Sequence, residues 1–225
     1  MINIEKAKPI LFSTPMVQAI LAGHKTMTRR VINPQPTYDP QSDRWVWPIP
    51  KSKVHKGCCT EVCTASREWW EYLLPDQLPY KPGDILWVRE TWAQTWTPDS
   101  NNIGFVYKAD GKPAAFPYWG NLKQCKDEAW ISSIFMPRKA ARIFLKVTNI
   151  KVERLQDMNF YDWKADFCPD YTEQEKALAT FTGNEYMKQS MKRFWDSLNA
   201  KRGYGWDTNP WVWVISFERI NSGGI

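Results

Sequence analysis

The sequence predicts an α+β chain whose strands form one small, strongly curved barrel with flanking helices and a loop-rich insertion. Three observations carry this. Strand-like segments are spread along the 225 residues with helical segments between them. The stretch "ARIFLKVTNIKVERL" alternates through Ile143, Leu145 and Val147, then resumes at Ile150 and Val152, so its phase slips by one residue near Thr148 and Asn149. A slip of that kind marks a bulge that bends a barrel strand. From about 35 to 80 the texture changes to prolines, scattered tryptophans and "HKGCCTEVC", which reads as an insertion in a single domain spanning 1–225.

The elements follow in order. Ser13 or Thr14 caps a first helix, Pro15 fits its first turn, Met16, Ala19 and Ile20 form its apolar stripe, and Gly23 ends it. "TMTRRVI" is a strand. Inside the insertion, "REWWEYLL" is a candidate short helix. "KPGDILWVRETW", residues 81–92, is a tight turn entering a strand buried on both sides, with Ile85 and Trp87 on one face and Leu86 and Val88 on the other. "GFVYKADG" is a strand running into a turn. "NFYDWKADF" is a short helix. A longer one covers about 185–199, with Tyr186, Met187, Met191, Phe194, Trp195 and Leu198 on one face. "NPWVWVISFERI" closes the chain as a strand alternating through Trp211, Trp213, Ile215 and Phe217.

Composition narrows the function classes. With 43% hydrophobic and 24% charged residues the chain has ordinary globular character. Fourteen tryptophans are enough to fill a core and also to line a pocket that stacks flat rings. A net charge of +6 suits a polyanionic partner. No apolar run reaches the length of a membrane-spanning helix, and "MINIEKAKPILF" lacks the uninterrupted apolar region of a signal peptide. The expectation is a cytoplasmic protein with no membrane partner and five reduced cysteines.

A helix ending in Gly, then Lys-Thr-x-Thr-x-Arg in "ILAGHKTMTRR", then "PGDILWVRE", then "VERLQDM" leading into a short helix, resembles the ASCH family of the PUA-like superfamily. The closing "NPWVWVISFERI" is similar to the last strand of phage-encoded members. The likeness covers most of the chain outside about 35–80. It implies a PUA-like pseudobarrel whose cleft faces a nucleoside or nucleic acid, RNA rather than DNA, and it implies no cofactor. The signature is similar to that of small bacterial members that hydrolyse N4-acetylcytidine. By that match Lys25 and Thr28 fall on the catalytic lysine and threonine, and Asp166 stands where those members carry a glutamate. The shorter acid, the insertion and the long C-terminal helix are departures from the small enzymes.

The chemistry is consistent with those residue types. Cleaving an amide needs a nucleophile, a base to activate it and a proton donor for the leaving amine. A lysine serves as base where desolvation or cationic neighbours favour its neutral form, and Arg29 and Arg30 are close in sequence. Residues three apart on a regular strand point to opposite faces, so Lys25 is expected in the loop after Gly23, with Thr26, Thr28 and Arg30 sharing one strand face. Asp166 is expected near the C-terminal end of its helix, where the dipole disfavours a carboxylate and suits a proton donor.

The same residues permit plainer roles. Lys25, Arg29 and Arg30 also fit a solvated turn or a phosphate-contacting patch, as in a non-catalytic nucleic-acid-binding module or a phage accessory factor. Thr28 also fits a plain β-branched strand position, and Asp166 a surface acid. Arg89 and Glu90 are expected at the cleft rim, paired with each other or with barrel neighbours. Arg138, Lys139 and Arg142 cluster before a strand, as phosphate contacts or as a solubilising turn. His55, Cys58, Cys59 and Cys63 are a candidate zinc set, although they lack paired C-x-x-C knuckles.

Overall fold

The computed structural model describes residues 4–39, 44–48, 62–65, 78–96, 103–111, 130–167 and 184–220. It is an α+β structure with a mixed sheet. The strands are β1 (Lys8–Leu11), β2 (Met27–Val31), β3 (Thr37–Asp39), β4 (Arg44–Pro48), β5 (Val62–Ala65), β6 (Ile85–Arg89), β7 (Trp92–Trp96), β8 (Ile103–Tyr107), β9 (Phe144–Arg154) and β10 (Trp211–Ile220). The α-helices are α1 (Thr14–Leu21), α2 (Phe160–Phe167) and α3 (Asn184–Asn199). The described strands form three sheets, in the orders β1-β6-β9-β10-β2, β3-β4-β5 and β7-β8, and none of them closes into a barrel. The segment read as a loop-rich insertion thus contributes a three-stranded antiparallel sheet. "REWWEYLL" lies outside the described residues, as do His55, Cys58 and Cys59.

The chain divides into two compact units. The first comprises 1–26, 82–148 and 217–225. In it β1 pairs in parallel with β6, and β6 pairs antiparallel with the start of β9. Leu86, Trp87 and Val88 are all buried, as expected for a strand covered on both sides. Gly83 enters β6 with φ +90°, a backbone that favours glycine. Trp92, Met136 and Ala140 form a local core with Phe105, Tyr107 and Ile131 packed against it.

The first helix begins at Thr14 with Ser13 as N-cap residue and Pro15 in its first turn. Its buried face is Val17 and Ile20, a shift from the expected stripe; Met16 and Ala19 are half-buried at its margin. Gly23 takes φ +76° and turns the chain back, so that the Ala19 carbonyl accepts from both His24 N and Lys25 N at 2.9 and 3.1 Å.

The second unit comprises 27–81 and 149–216. Here β2 pairs antiparallel with β10, setting Thr28 opposite Ile215 and Arg30 opposite Trp213. Val212 and Val214 belong to a buried cluster with Leu155, Met158, Trp163, Met191, Trp195 and Trp206, and Met27 and Val31 pack against it. One face of the β2–β10 pair is therefore covered by the elements after β9. Burying each of those large side chains contributes about 1.5–3 kcal/mol. In α3 the described buried positions are Met191, Trp195 and Asn199, each one turn from the next, while Leu198 is exposed rather than on the buried stripe. The Trp195 indole donates to the Tyr204 carbonyl at 2.7 Å, and Trp206 N donates to the Asp196 carboxylate at 2.6 Å. Along β9 the burial pattern changes phase between Val147 and Ile150, where the alternation predicted a slip. Among the described residues, no helix is long and apolar enough to cross a membrane.

Candidate functional site

Of the residues singled out in the sequence, Lys25, Thr26, Arg89, Glu90 and Arg138 belong to the first unit. Thr28, Arg30 and Asp166 belong to the second.

Lys25 lies in the loop after Gly23, as the spacing required, and is 2% exposed. Its Nζ stands 5.7 Å from the centroid of the Phe12 ring, within reach of a cation–π attraction. Backbone bonds to Ala19 O and the turn at Gly23 fix where the side chain starts. Thr26 is exposed and precedes β2; its carbonyl accepts from Phe217 N at 2.8 Å. It does not share the burial of Thr28, because β2 begins one residue later than expected.

Glu90 is 1% exposed and is not paired with Arg89. Its carboxylate accepts a two-pronged contact from Arg142, Nε to Oε1 at 2.9 Å and Nη2 to Oε2 at 3.0 Å. Arg142 Nη1 also donates to Asp110 at 2.6 Å, and its guanidinium lies 3.9 Å from the Tyr107 ring centroid. Burial works against the Arg142 charge, but hydrogen bonds to Glu90 and Asp110 outweigh it and raise the guanidinium above its usual value. This corrects the reading of Arg142 as a phosphate contact, since its donors are committed to the buried Glu90 and the exposed Asp110. Arg138 is exposed and donates through Nη1 to the Glu5 carbonyl, with Lys139 exposed beside it. Arg89 lies over the Trp87 ring at 5.6 Å, two residues along the same strand face.

In the second unit β2 places Thr28 and Arg29 on opposite faces, and both are buried. Arg29 points to the side covered by α2. There its guanidinium meets three carboxylates: Glu153 from Nε at 3.0 Å and from Nη2, Asp162 from Nη2 at 3.2 Å, and Asp166 from Nη1 at 3.2 Å. Lys151 adds a second cation, 2.9 Å from Glu153 and 3.5 Å from Asp162. Asp166 is one residue from the end of α2, as expected, and 3% exposed. Arg29, close to Lys25 in sequence, is the counter-ion of Asp166. Two signals in the sequence pointed there. Strand alternation separates Arg29 from Thr28, and Asp162 and Asp166 are spaced i, i+4 on one helix face. Glu153 carried no comparable signal.

Arg30 shares its face with Thr28 and is half-buried. Burial pushes its guanidinium below the usual value; Tyr80 and Asp166 oppose that, and Arg202 adds to it. Arg154 stacks 4.5 Å from the Trp211 ring centroid and donates to the Asn209 carbonyl at 2.8 Å. Burial lowers its guanidinium as well, with Asp157 opposing.

Among the described residues, no group of His, Cys, Asp and Glu is arranged to hold a metal ion. Of the candidate zinc set only Cys63 falls in a described strand, β5. Comparison with protein-family models, curated proteins and solved structures returned no match to this chain.

Proposed function

We propose that the chain is an amidohydrolase acting on an N4-acylated cytidine or a related modified base, built on a PUA-like pseudobarrel. One observation carries the reading. Among the described residues six polar or charged side chains are buried: Lys25, Thr28, Arg29, Glu90, Asp166 and Asn199. The three residues that the sequence likeness singles out for catalysis are all in that set. Burying an amine, a hydroxyl and a carboxylate costs several kcal/mol unless each is hydrogen-bonded or paired, as Asp166 is with Arg29. A solvated turn or a surface acid would carry no such cost.

The roles follow from the chemistry of the groups. On that likeness Lys25, desolvated beside an aromatic ring, is the base and Thr28 the nucleophile. The Thr28 oxygen attacks the acyl carbon and forms an ester as the C–N4 bond breaks. The leaving amine takes the proton given up by the Thr28 hydroxyl, relayed by the Asp166 carboxylate that Arg29 holds in place. Water then hydrolyses the threonine ester and returns the hydroxyl. The test is incubation with a panel of N4-acylcytidines and chromatography of the products. Released cytidine, lost in Thr28→Ala and Lys25→Ala, supports the reading. An untouched panel at high enzyme concentration sinks it.

A second reading, a non-catalytic nucleic-acid module, draws on the exposed Arg138 and Lys139 beside the exposed Ile134 and Phe135. It predicts binding without turnover.

A further inference from the structure

Three arginines that are half-buried or deeper give their donors to named acceptors. Arg29 meets three carboxylates, Arg142 meets Glu90 and Asp110, and Arg154 donates to the Asn209 carbonyl. Arg89, at the end of β6, differs. Among the described residues nothing accepts a hydrogen bond from its guanidinium, and no carboxylate pairs with it. Its Nε is buried without an acceptor, a desolvation cost that no bond offsets. Nη1 and Nη2 are not buried in that way, so the half-buried side chain ends in a fork that water reaches. The Trp87 ring, 5.6 Å from the guanidinium, holds it from one side.

Sheet register shows what surrounds the fork. On β6, Ile85, Trp87 and Arg89 turn to one face and Leu86 and Val88 to the other. The parallel strand β1 sets Pro9 beside Trp87 and Leu11 beside Arg89. The antiparallel strand β9 sets Phe144 beside Trp87 and Lys146 beside Ile85. Leu11 is 37% exposed and Phe144 is half-buried. The surroundings of the fork are therefore apolar. Lys146 is paired with Glu218 at 3.3 Å, and Lys8 with Asp84 at 2.6 Å. Among the described residues of β1, β6 and the first half of β9, the charge left uncompensated is the one on Arg89.

One uncompensated guanidinium fork matches one negative charge shared by two coplanar oxygens. A phosphate monoester or a polynucleotide would bring further charges that no cation on this face balances. A carboxylate brings one, and an apolar body attached to it meets Leu11. We propose that Arg89, with Leu11 beside it, forms a binding site for a small organic monocarboxylate carrying an aryl or alkyl body. The site stands apart from the amidohydrolase reading, because Lys25, Thr28 and Asp166 take no part in it.

The experiment is a saturation-transfer NMR titration of the intact chain and of Arg89→Met with benzoate and with benzamide, which share a shape and differ in charge. Inorganic phosphate and a short oligocytidylate serve as competitors. Benzoate is expected to bind roughly tenfold more tightly than benzamide, the size of one charge-assisted contact. Arg89→Met should remove that gap and leave benzamide unchanged. Its urea midpoint should match or exceed that of the parent, since the substitution deletes a buried donor that has no acceptor. Equal affinity for the two probes, no binding of either, or a gap that survives Arg89→Met overturns the proposal. So does a midpoint lowered by more than about 0.5 M, which would show that Arg89 has an internal partner. Displacement of benzoate by phosphate or oligocytidylate at lower concentrations than benzoate itself requires would assign the fork to a phosphate ligand and overturn the carboxylate.

Discussion

Replacing Arg29 with methionine is the sharpest perturbation of the second unit. The Arg29 side chain is fully buried and makes four contacts to three carboxylates. Methionine keeps most of the stem volume and deletes the charge. With Lys151 still present, the cluster then goes from one net negative charge to two. The three acids do not suffer equally. Glu153 and Asp162 are 13% and 16% exposed and keep Lys151, so water and a cation still reach them. Asp166 is 4% exposed and loses the partner that balances it. Removing one side of a buried pair costs about 3–5 kcal/mol, because the charge left behind is uncompensated. With a urea m-value of about 2–3 kcal/mol/M, the midpoint should fall by roughly 1–2 M. Asp166→Asn in the Arg29→Met background should recover part of the loss, with a coupling of about 1–3 kcal/mol in the double-mutant cycle. A loss below about 1 kcal/mol, the value of an exposed pair, would refute the account of a buried cluster centred on Arg29.

Other consequences can be checked alongside. Glu90→Gln should destabilise the chain by about 2–4 kcal/mol, since it leaves Arg142 without its two-pronged acceptor; equal urea midpoints for variant and parent would contradict that. Burial pushes the Tyr107 hydroxyl above its ordinary value, with Arg142 opposing and Glu90 and Asp110 assisting. The native state therefore holds its proton to higher pH than the unfolded chain does. That contribution to stability is complete below pH ~10 and is lost as pH rises further. Tyr107→Phe should flatten the alkaline fall in urea midpoint, and an unchanged slope counts against it. Asp166→Glu should retain more hydrolysis than Asp166→Asn, because it keeps a carboxyl for the amine and for Arg29 and alters only its reach; if Asn matches the parent, Asp166 has no acid–base part. Should nucleic acid bind, Arg138→Glu with Lys139→Glu should flatten the log–log salt dependence by about 0.7 per lost contact on single strands. No change in slope would remove that turn from the interface.

Local signals in the sequence carried much of the architecture. The Pro15 and Gly23 pair bounded α1, the phase slip in β9 appeared in its burial, and the apolar run at Leu86, Trp87 and Val88 proved buried throughout. Spacing placed Lys25 in a loop and Thr28 in a strand, and both are buried. Long-range partner choice was not legible. Glu90 could have taken Arg89 next to it, but adjacent strand residues point apart, and Arg142 supplies its bidentate partner. Arg29 meets Glu153 across 124 residues, a pairing that only sheet register and the seat of α2 decide. The stripe of α1 was legible in part: Ile20 is buried as expected, Met16 and Ala19 are half-buried, and Val17, outside the expected stripe, is buried with Ile20.

The central claim, that a buried lysine and threonine cleave an amide on a modified cytidine, is tested most directly by mass spectrometry of the protein quenched during turnover of N4-acetylcytidine or its monophosphate. The account predicts an acetyl adduct on the peptide carrying Thr28, absent in Thr28→Ala and in Lys25→Ala, together with released cytidine product. Product formed at the parent rate by Thr28→Ala, or no product from any N4-acyl substrate, would contradict it.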